Sequence, residues 1–437
     1  MMRKFFVALL AGAVAVGLAV PAFAADLKFT GAYRVRFQFD ENLPCLEDVG
    51  VPGGIDCSGH TFQTRFRPRF DVETEGGVKG VLRLEIGDVP FGGAATSGTS
   101  IKGSGGDRGA DGVNVETKWA YIDFPVPATP LRLRAGIQDF FTSKALLLDD
   151  DGSGISLYGK LGEINASAWW FRANAGGATT TVGSEGERAR DLYAIDLSTS
   201  PIKDLNLNLY FVYDHDSETP IAGTSATGFW FGAGAAGKVQ NIRWDLDFVY
   251  GTKEILPAAD QAGWVVDGGV GMALPGTALD LELRGWYATG DKGDGGDNEG
   301  YPVLYSGSGG HEPGTQVWGG GGAIDIDATA DSPENTWGVG VIATWKATPT
   351  FKIAGNVHFI GVVDEGTAAS PSAIGDGILA GVDSVGTEVG VKLDYTIAKG
   401  LVFTLTAGHL FLGDETVFGV TTFDDVTKIA GVLNYGF

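Results

Sequence analysis

Arginines recur at every second position in three short stretches: Arg34 and Arg36; Arg65, Arg67 and Arg69; Arg132 and Arg134. Residues two apart on an extended chain share a face, so each stretch projects its guanidinium groups from one side of a strand. Arg83 follows the same pattern. The positions between are apolar: Phe62, Phe66, Pro68, Phe70 and Val72 in one stretch, Leu131, Leu133, Ala135 and Ile137 in another. A guanidinium offers a planar fork of donors that fits carboxylates. The chemistry on offer is therefore the holding and steering of anions. Bond-breaking chemistry is not indicated. The five histidines, His60, His215, His311, His358 and His409, fall in no His-Glu-x-x-His frame, and no Gly-x-Ser-x-Gly occurs, so an enzyme is not expected.

The elements that must hold these arginines are strands of an exported protein. Arg3 and Lys4 precede an apolar run from Phe5 to Val20, and Pro21 leads into Ala22-Phe23-Ala24, an A-x-A cleavage site. That order predicts a signal peptide over residues 1–24. The run is shorter than the roughly 20 residues of a spanning helix, and no later stretch approaches one. Hydrophobic residues make up 44% of the chain and glycines number 69, yet helical periodicity is almost missing and alternation of period two replaces it. Leu205, Leu207, Leu209, Phe211 and Tyr213 share one parity, with Asn206, Asn208 and Tyr210 on the other. Ile429, Gly431, Leu433, Tyr435 and Phe437 repeat the pattern near the end. Such a strand suits a soluble sandwich or a membrane barrel. Export, length and aromatic strand ends favour the barrel, with the apolar face toward lipid and the polar face toward water.

Connections alternate between tight and long. Glu75-Gly76-Gly77, Pro201-Ile202-Lys203-Asp204, Pro275-Gly276-Thr277 and Thr348-Pro349-Thr350 are tight; Asp40–His60, Asp88–Gly112, Ala173–Glu187, Gly290–Asn335 and Val362–Val382 are long. Short periplasmic turns and long external loops have this asymmetry. The expected fold is all-β: a transmembrane, antiparallel, up-and-down barrel over residues 25–437, with about eighteen strands. Sixteen is the alternative, because the strands around Gly154 and over Gly228–Lys238 are weakly patterned. A barrel of this size leaves a water-filled lumen. The runs Gly232–Gly237 and Gly268–Gly271 read as lipid faces able to approach a second subunit closely.

The terminal run Ala430–Phe437 resembles the C-terminal assembly signal of bacterial outer-membrane proteins, with Tyr435 and Phe437 as its aromatics. Gly31–Arg36, Gln63–Arg67, Leu133–Gln138 and Thr289-Gly290-Asp291 resemble porins of deltaproteobacterial type. They are similar too to the eighteen-stranded alginate-export and substrate-specific porins. The resemblance implies a Gram-negative outer-membrane porin for passive diffusion of small hydrophilic, charged solutes. The alternatives are a specific channel or exporter for an anionic solute or polysaccharide, and a non-conducting adhesin barrel. It implies contact with outer-membrane lipid, lipopolysaccharide and the barrel-assembly machinery, and leaves monomer and homotrimer open. In general porins the third external loop folds inward and sets carboxylates against arginines. Here the third loop by hairpin count would carry Leu146–Leu148 inward and present Asp149, Asp150 and Asp151 to the arginine wall formed by Arg34, Arg36, Arg65, Arg67, Arg69, Arg83, Arg132 and Arg134.

The formal net charge of −23 argues against nucleic acid. Nine arginines lie between residues 25 and 140 and five beyond it, so on neighbouring strands about 4.8 Å apart the first group forms one positive wall. No cofactor is expected. Asp149, Asp151, Ser153 and Gly154 open like a calcium loop, but Lys160 stands where a bidentate Glu is needed; a looser calcium site there, or among Asp291, Asp294, Asp297 and Glu299, is the alternative. Cys45 and Cys57 share the first external loop, and export through an oxidising compartment predicts a disulfide between them. Mass spectrometry of unreduced peptides from the exported protein should find the two linked; two free thiols would refute the pairing.

Overall fold

In hydrocarbon an unpaired backbone N–H or C=O is too costly to leave exposed, so membrane-spanning strands must close on themselves. The computed structural model meets that demand. It describes residues 25–42, 59–91, 115–174, 189–216, 226–256, 259–293, 296–304, 311, 313–318, 333–365, 381–414 and 424–437. The described residues form eighteen strands. The first nine are β1 (Ala25–Glu41), β2 (Gly59–Thr74), β3 (Lys79–Pro90), β4 (Val115–Pro125), β5 (Leu131–Phe141), β6 (Asp149–Leu161), β7 (Ile164–Asn174), β8 (Arg190–Ile202) and β9 (Leu205–Asp216). The rest are β10 (Ala226–Val239), β11 (Ile242–Leu256), β12 (Ala259–Ala273), β13 (Leu279–Ala288), β14 (Thr336–Thr348), β15 (Phe351–Val362), β16 (Ser384–Ala398), β17 (Leu401–Leu412) and β18 (Val426–Gly436). Each pairs antiparallel with its sequence neighbours, and β1 also pairs with β18, from Ala32 opposite Gly436 to Glu41 opposite Thr427. The sheet has no edge.

The two faces separate as the alternation requires. On β9, Leu207, Leu209 and Phe211 are exposed, while Tyr210, Val212 and Asp214 are buried. The exposed set faces lipid. Aromatic rings gather at both rims of that belt, the interfacial position such side chains prefer. Tyr193, Tyr213 and Phe229 stack near the long-loop end, as do Trp264 and Tyr287, at centroid distances of 4.9–6.0 Å. Phe29, Phe66, Phe70, Tyr435 and Phe437 gather at the short-turn end.

Both weakly patterned segments are strands, β6 and β10. On β10 the inner-face glycines make room for neighbours' side chains. A Cβ at Gly232 would meet the Tyr210 ring, and at Gly234 Asn208 and Asp247, whereas Gly237 lies on the outer parity against Trp244. Gly269 and Gly271 lie likewise against Arg284 and Arg243. The expectation that these runs face lipid or a second subunit is therefore corrected in part: Gly232, Gly234, Gly269 and Gly271 seat side chains of the barrel's own interior, while Gly237 and Gly268 lie on the outer parity.

The short turns bend tightly, with Gly77 and Gly276 at φ 74° and Asp204 at φ 61°. The opposite rim carries the long connections, except that β11 and β12 are joined by residues 257–258 alone. The proposed signal peptide, Cys45, Cys57 and Asp294 lie outside the described residues.

The seam is closed by the last residue. Gly31 N–H donates to the Phe437 carbonyl at 3.0 Å, and Phe437 N–H to Gly31 at 3.1 Å. The Phe437 ring folds over Gly31, where a Cβ would lie 2.8 Å from the ring and 2.9 Å from the Arg67 carbonyl oxygen. The far-UV circular dichroism of detergent-folded protein should be β-dominated, with a gel mobility that changes on boiling. Gly31→Val should lose about 1–3 kcal/mol by overpacking and lower the heat-modifiable fraction. An unchanged fraction would show that the seam tolerates a side chain there.

Candidate functional site

The predicted arginines lie on β1, β2, β3 and β5, which with β4 form a continuous part of the wall. Their partners come from those same strands. Arg34 Nη2 lies 2.7 Å from Asp88 Oδ1, and Arg65 binds both oxygens of Asp88. Arg65 and Arg67 share Glu85. Arg69 grips Asp71 through two bonds of 2.7 and 2.8 Å. Arg132 and Arg134 share Asp123, at 2.6 and 3.4 Å, and Arg134 also reaches Asp139 at 3.4 Å. Arg36 donates to Gln63 Oε1.

Aromatic rings interleave with the charges. The guanidinium groups of Arg83 and Arg69 lie 4.3 and 5.0 Å from the Trp119 ring, and Arg134 lies 4.6 Å from Tyr121 and 5.3 Å from Tyr158. The part-exposed pairs on Asp88 and Asp71 contribute about 0–1 kcal/mol each, whereas Glu85 and Asp123 are buried among their arginines. The whole series is poorly explained by stability and better explained by what the wall meets in the lumen.

Asp149, Asp150 and Asp151 are not loop residues. They open β6 and pair with Phe141, Phe140 and Asp139. Asp151 accepts from Trp119 Nε1 at 2.6 Å and lies 3.4 Å from Lys118 Nζ. It therefore belongs to the arginine side, and the expected carboxylates facing arginines from across the lumen are not there. The ladder takes them because β5 extends to Phe141 and continued pairing satisfies more backbone than a longer loop would. Asp149, Asp151 and Ser153 consequently sit on extended chain, not on a calcium-type loop. In the longest connection, Lys292 pairs with Glu299, and Asp291 accepts from Gly293 N–H at 3.2 Å.

The inward loop is residues 142–148, and its charge is a lysine. Thr142 closes it: Thr142 N–H donates to the Leu148 carbonyl at 2.8 Å, and Leu148 N–H to Thr142 Oγ1 at 3.1 Å. Lys144 and Ala145 adopt positive φ, 52° and 57°, at a cost of about 1–3 kcal/mol each. Leu146, Leu147 and Leu148 are at most 2% exposed, and burying each contributes about 1.5–3 kcal/mol, which offsets the strain. They join a cluster inside the lumen with Phe140, Leu192, Val212, Trp230 and Val249.

Lys144 then reaches far round the wall to β11 and β12. Its ammonium lies 2.9 Å from both Asp247 and Asp267 and also bonds Asp245. Burial alone would push the ammonium's pKa down; the three carboxylates outweigh it and hold the pKa above its ordinary value. Arg284 bonds Asp267 at 2.5 Å.

A second segment, from the β13–β14 connection, enters the lumen from another direction. Tyr301 and Leu304 join the same apolar cluster. Trp230 Nε1 donates to the Pro302 carbonyl at 2.7 Å, and Lys253 Nζ to the Leu304 carbonyl at 2.9 Å. His311 lies 3.2 Å from Asp267. A cavity of about 530 Å³ between the segments is lined by Lys144, Asp149, Asp245, Asp267, Glu282 and Arg284 among others. Another, of about 540 Å³, borders Arg134, Asp139, Tyr158, Asp196 and Asn208.

These acids were legible and overlooked. Asp245 and Asp247 alternate with Trp244, Leu246 and Phe248 just as the arginines alternate with apolar neighbours. The inward placement of residues 301–304 and 313–318 has only a faint signal, the apolar Val303 and Leu304 within an acidic connection.

Three solved structures share this architecture. OccK8 (OprE) of Pseudomonas aeruginosa aligns with TM-score 0.55 and 11% identity, covering 94% of this chain and 98% of that one. OccAB2 of Acinetobacter baumannii aligns with TM-score 0.56 and 12% identity over the same shares. OpdK of Pseudomonas aeruginosa, solved with vanillate, aligns with TM-score 0.55 and 11% identity, again over 94% and 98%. The fold is that of an outer-membrane porin. No protein-family model matches the sequence, and no curated protein is detectably similar to it, so the porin likeness is one of architecture. Within that porin fold, Lys144→Gln should weaken the anchoring of the first inward loop by about 1–3 kcal/mol, because three carboxylates lose a shared donor. The variant should also be more cation-selective. Reversal potentials in a salt gradient check this, and an unchanged value would remove Lys144 from the conducting path.

Proposed function

We propose that the chain is an outer-membrane channel for passive diffusion of small hydrophilic, charged solutes, with carboxylates guided along the arginine wall. The observation that carries this reading is a lumen narrowed by two inward segments, with charges of both signs at their meeting point and a guanidinium series beside it. Such a passage sorts by charge. The wall's field extends about 8 Å in physiological salt, so it acts where the lumen is narrow. A carboxylate can exchange guanidinium partners stepwise because the part-exposed native pairs are weak. An apolar solute gains nothing from the charges and must displace their water.

A channel specific for an anionic solute is the second reading. The arginine series favours it, and so does the fold shared with OpdK, whose solved structure holds vanillate, a carboxylate. A non-conducting adhesin barrel has no such feature to support it. In this reading the protein is not an enzyme and needs no resident cofactor. Its apolar belt takes membrane lipid, with lipopolysaccharide in the outer leaflet, and the Tyr435–Phe437 end serves the barrel-assembly machinery.

Planar-bilayer recording tests the proposal. The folded protein should conduct, and replacing Arg65, Arg67 and Arg132 together by Gln should move selectivity toward cations. A wall potential of about one kT changes local ion concentration roughly threefold, which sets the scale of the expected change. Absence of conductance would end the channel reading, and an unchanged reversal potential would detach the arginines from selectivity.

A further inference from the structure

The second inward segment is held by one carboxylate of the barrel wall. Glu388 on β16 is fully buried, and its oxygens accept three consecutive backbone N–H groups of the segment. Gln316 donates to Oε1 at 2.5 Å; Val317 and Trp318 donate to Oε2 at 3.0 and 2.9 Å. Asn356 on β15 donates to Oε1 at 3.0 Å. A buried carboxylate cupped by three consecutive backbone donors is a strong, directional anchor.

The wall beneath is hollowed to receive the segment. Asn356, Gly390 and Gly408 are cross-strand partners in one row over β15, β16 and β17. A Cβ at Gly390 would lie 2.7 Å from Gln316 Cγ, and one at Gly408 would lie 2.7 Å from Val317 Cγ2 and 3.0 Å from Gln316 Cβ. Two glycines side by side thus leave the space that Gln316 and Val317 fill. His358 and Glu388 are themselves partners in the adjoining row, with Gly340 making room for the His358 ring.

We propose that Glu388 is a latch which keeps residues 313–318 seated in the lumen, and that its release lets the segment leave its seat and widens the pore. The proposal rests on the channel reading and adds a moving part to it. Three consecutive donors on one carboxylate fix the segment's register against the wall. Each bond to a charged acceptor is worth about a factor of ten or more in the seated-to-released ratio.

Single-channel recording of Glu388→Ala should show a higher-conductance level occupied about tenfold or more above the wild-type fraction. A disulfide staple provides the rescue. In Gln316→Cys with Gly408→Cys the two Cβ atoms start close to the roughly 3.5–4.5 Å that a disulfide needs. Oxidation of that pair in the Glu388→Ala background should abolish the new level, and reduction should restore it. Wild-type protein, with its own two cysteines, is treated in parallel. Should Glu388→Ala fail to fold, Glu388→Gln, which keeps the shape but removes the charge, should move occupancy the same way.

With Glu388 intact, oxidation of the stapled pair should add no higher-conductance level, because the segment is already seated. A folded Glu388 variant with wild-type occupancy would overturn the latch. So would a new level that survives the staple, or a staple that fails to form in the presence of Glu388. Loss of all conductance in wild type would instead refute the channel reading, while staple formation would still report the seat.

Discussion

Every feature of this protein depends on one requirement: no backbone group may face hydrocarbon unpaired. Closing the sheet through β1 and β18 meets it, and closure commits each strand to two faces. One must be apolar because it meets lipid. The other is released from that demand, and it is there that arginines, aspartates and buried glutamate appear. A slip of one residue in a charged strand such as β2 or β11 would turn charges into the bilayer, so the register that closes the barrel is also the register that assembles the polar interior.

A ring of eighteen strands is too wide to be filled by its own side chains. The chain solves this by turning two connections inward, and the solution is lopsided. Toward β7–β12 the lumen holds an apolar core, where Leu146–Leu148, Tyr301 and Leu304 pack on Trp230, Val212 and Val249. Toward β1–β5 it holds guanidinium, aromatic and carboxylate groups. The apolar half gives rigid footing to the loops; the polar half is left to water and solutes. Lys144 ties the first inward loop to the wall, rooted beside the leucines and ending among the acids of β11 and β12.

How much of this was visible in the sequence follows from how local each cause is. Strand alternation is a property of adjacent residues, so the strands beginning at Leu131 and Leu205 were legible almost to the residue. β10 was faint because its inner face is supplied by Tyr210, Asn208 and Asp247 from the neighbouring strands; a glycine records the presence of such a neighbour without naming it. Asp149–Asp151 misled because three acids in a row have the composition of a loop, while the ladder begun by Phe140 and Phe141 had pairing left to give them. The Lys144 anchor and the backbone donors on Glu388 join residues 70–123 positions apart. Nothing at such separations leaves a periodic trace.

The seam has a kinetic meaning as well as an architectural one. Its pairs, such as Ala32 with Gly436, are separated by nearly the whole described chain, while every other pairing is between sequence neighbours. Hairpins can form as soon as their own residues are present, but the ring cannot. Contacts of such extreme sequence separation demand that the chain's conformational freedom be surrendered before any reward arrives. Until that final zipping, both edge strands expose open ladders that invite pairing with another chain. Closure is thus the slowest and most hazardous event of the protein's biogenesis, and a ring from Phe437 lying over Gly31 is what completes it.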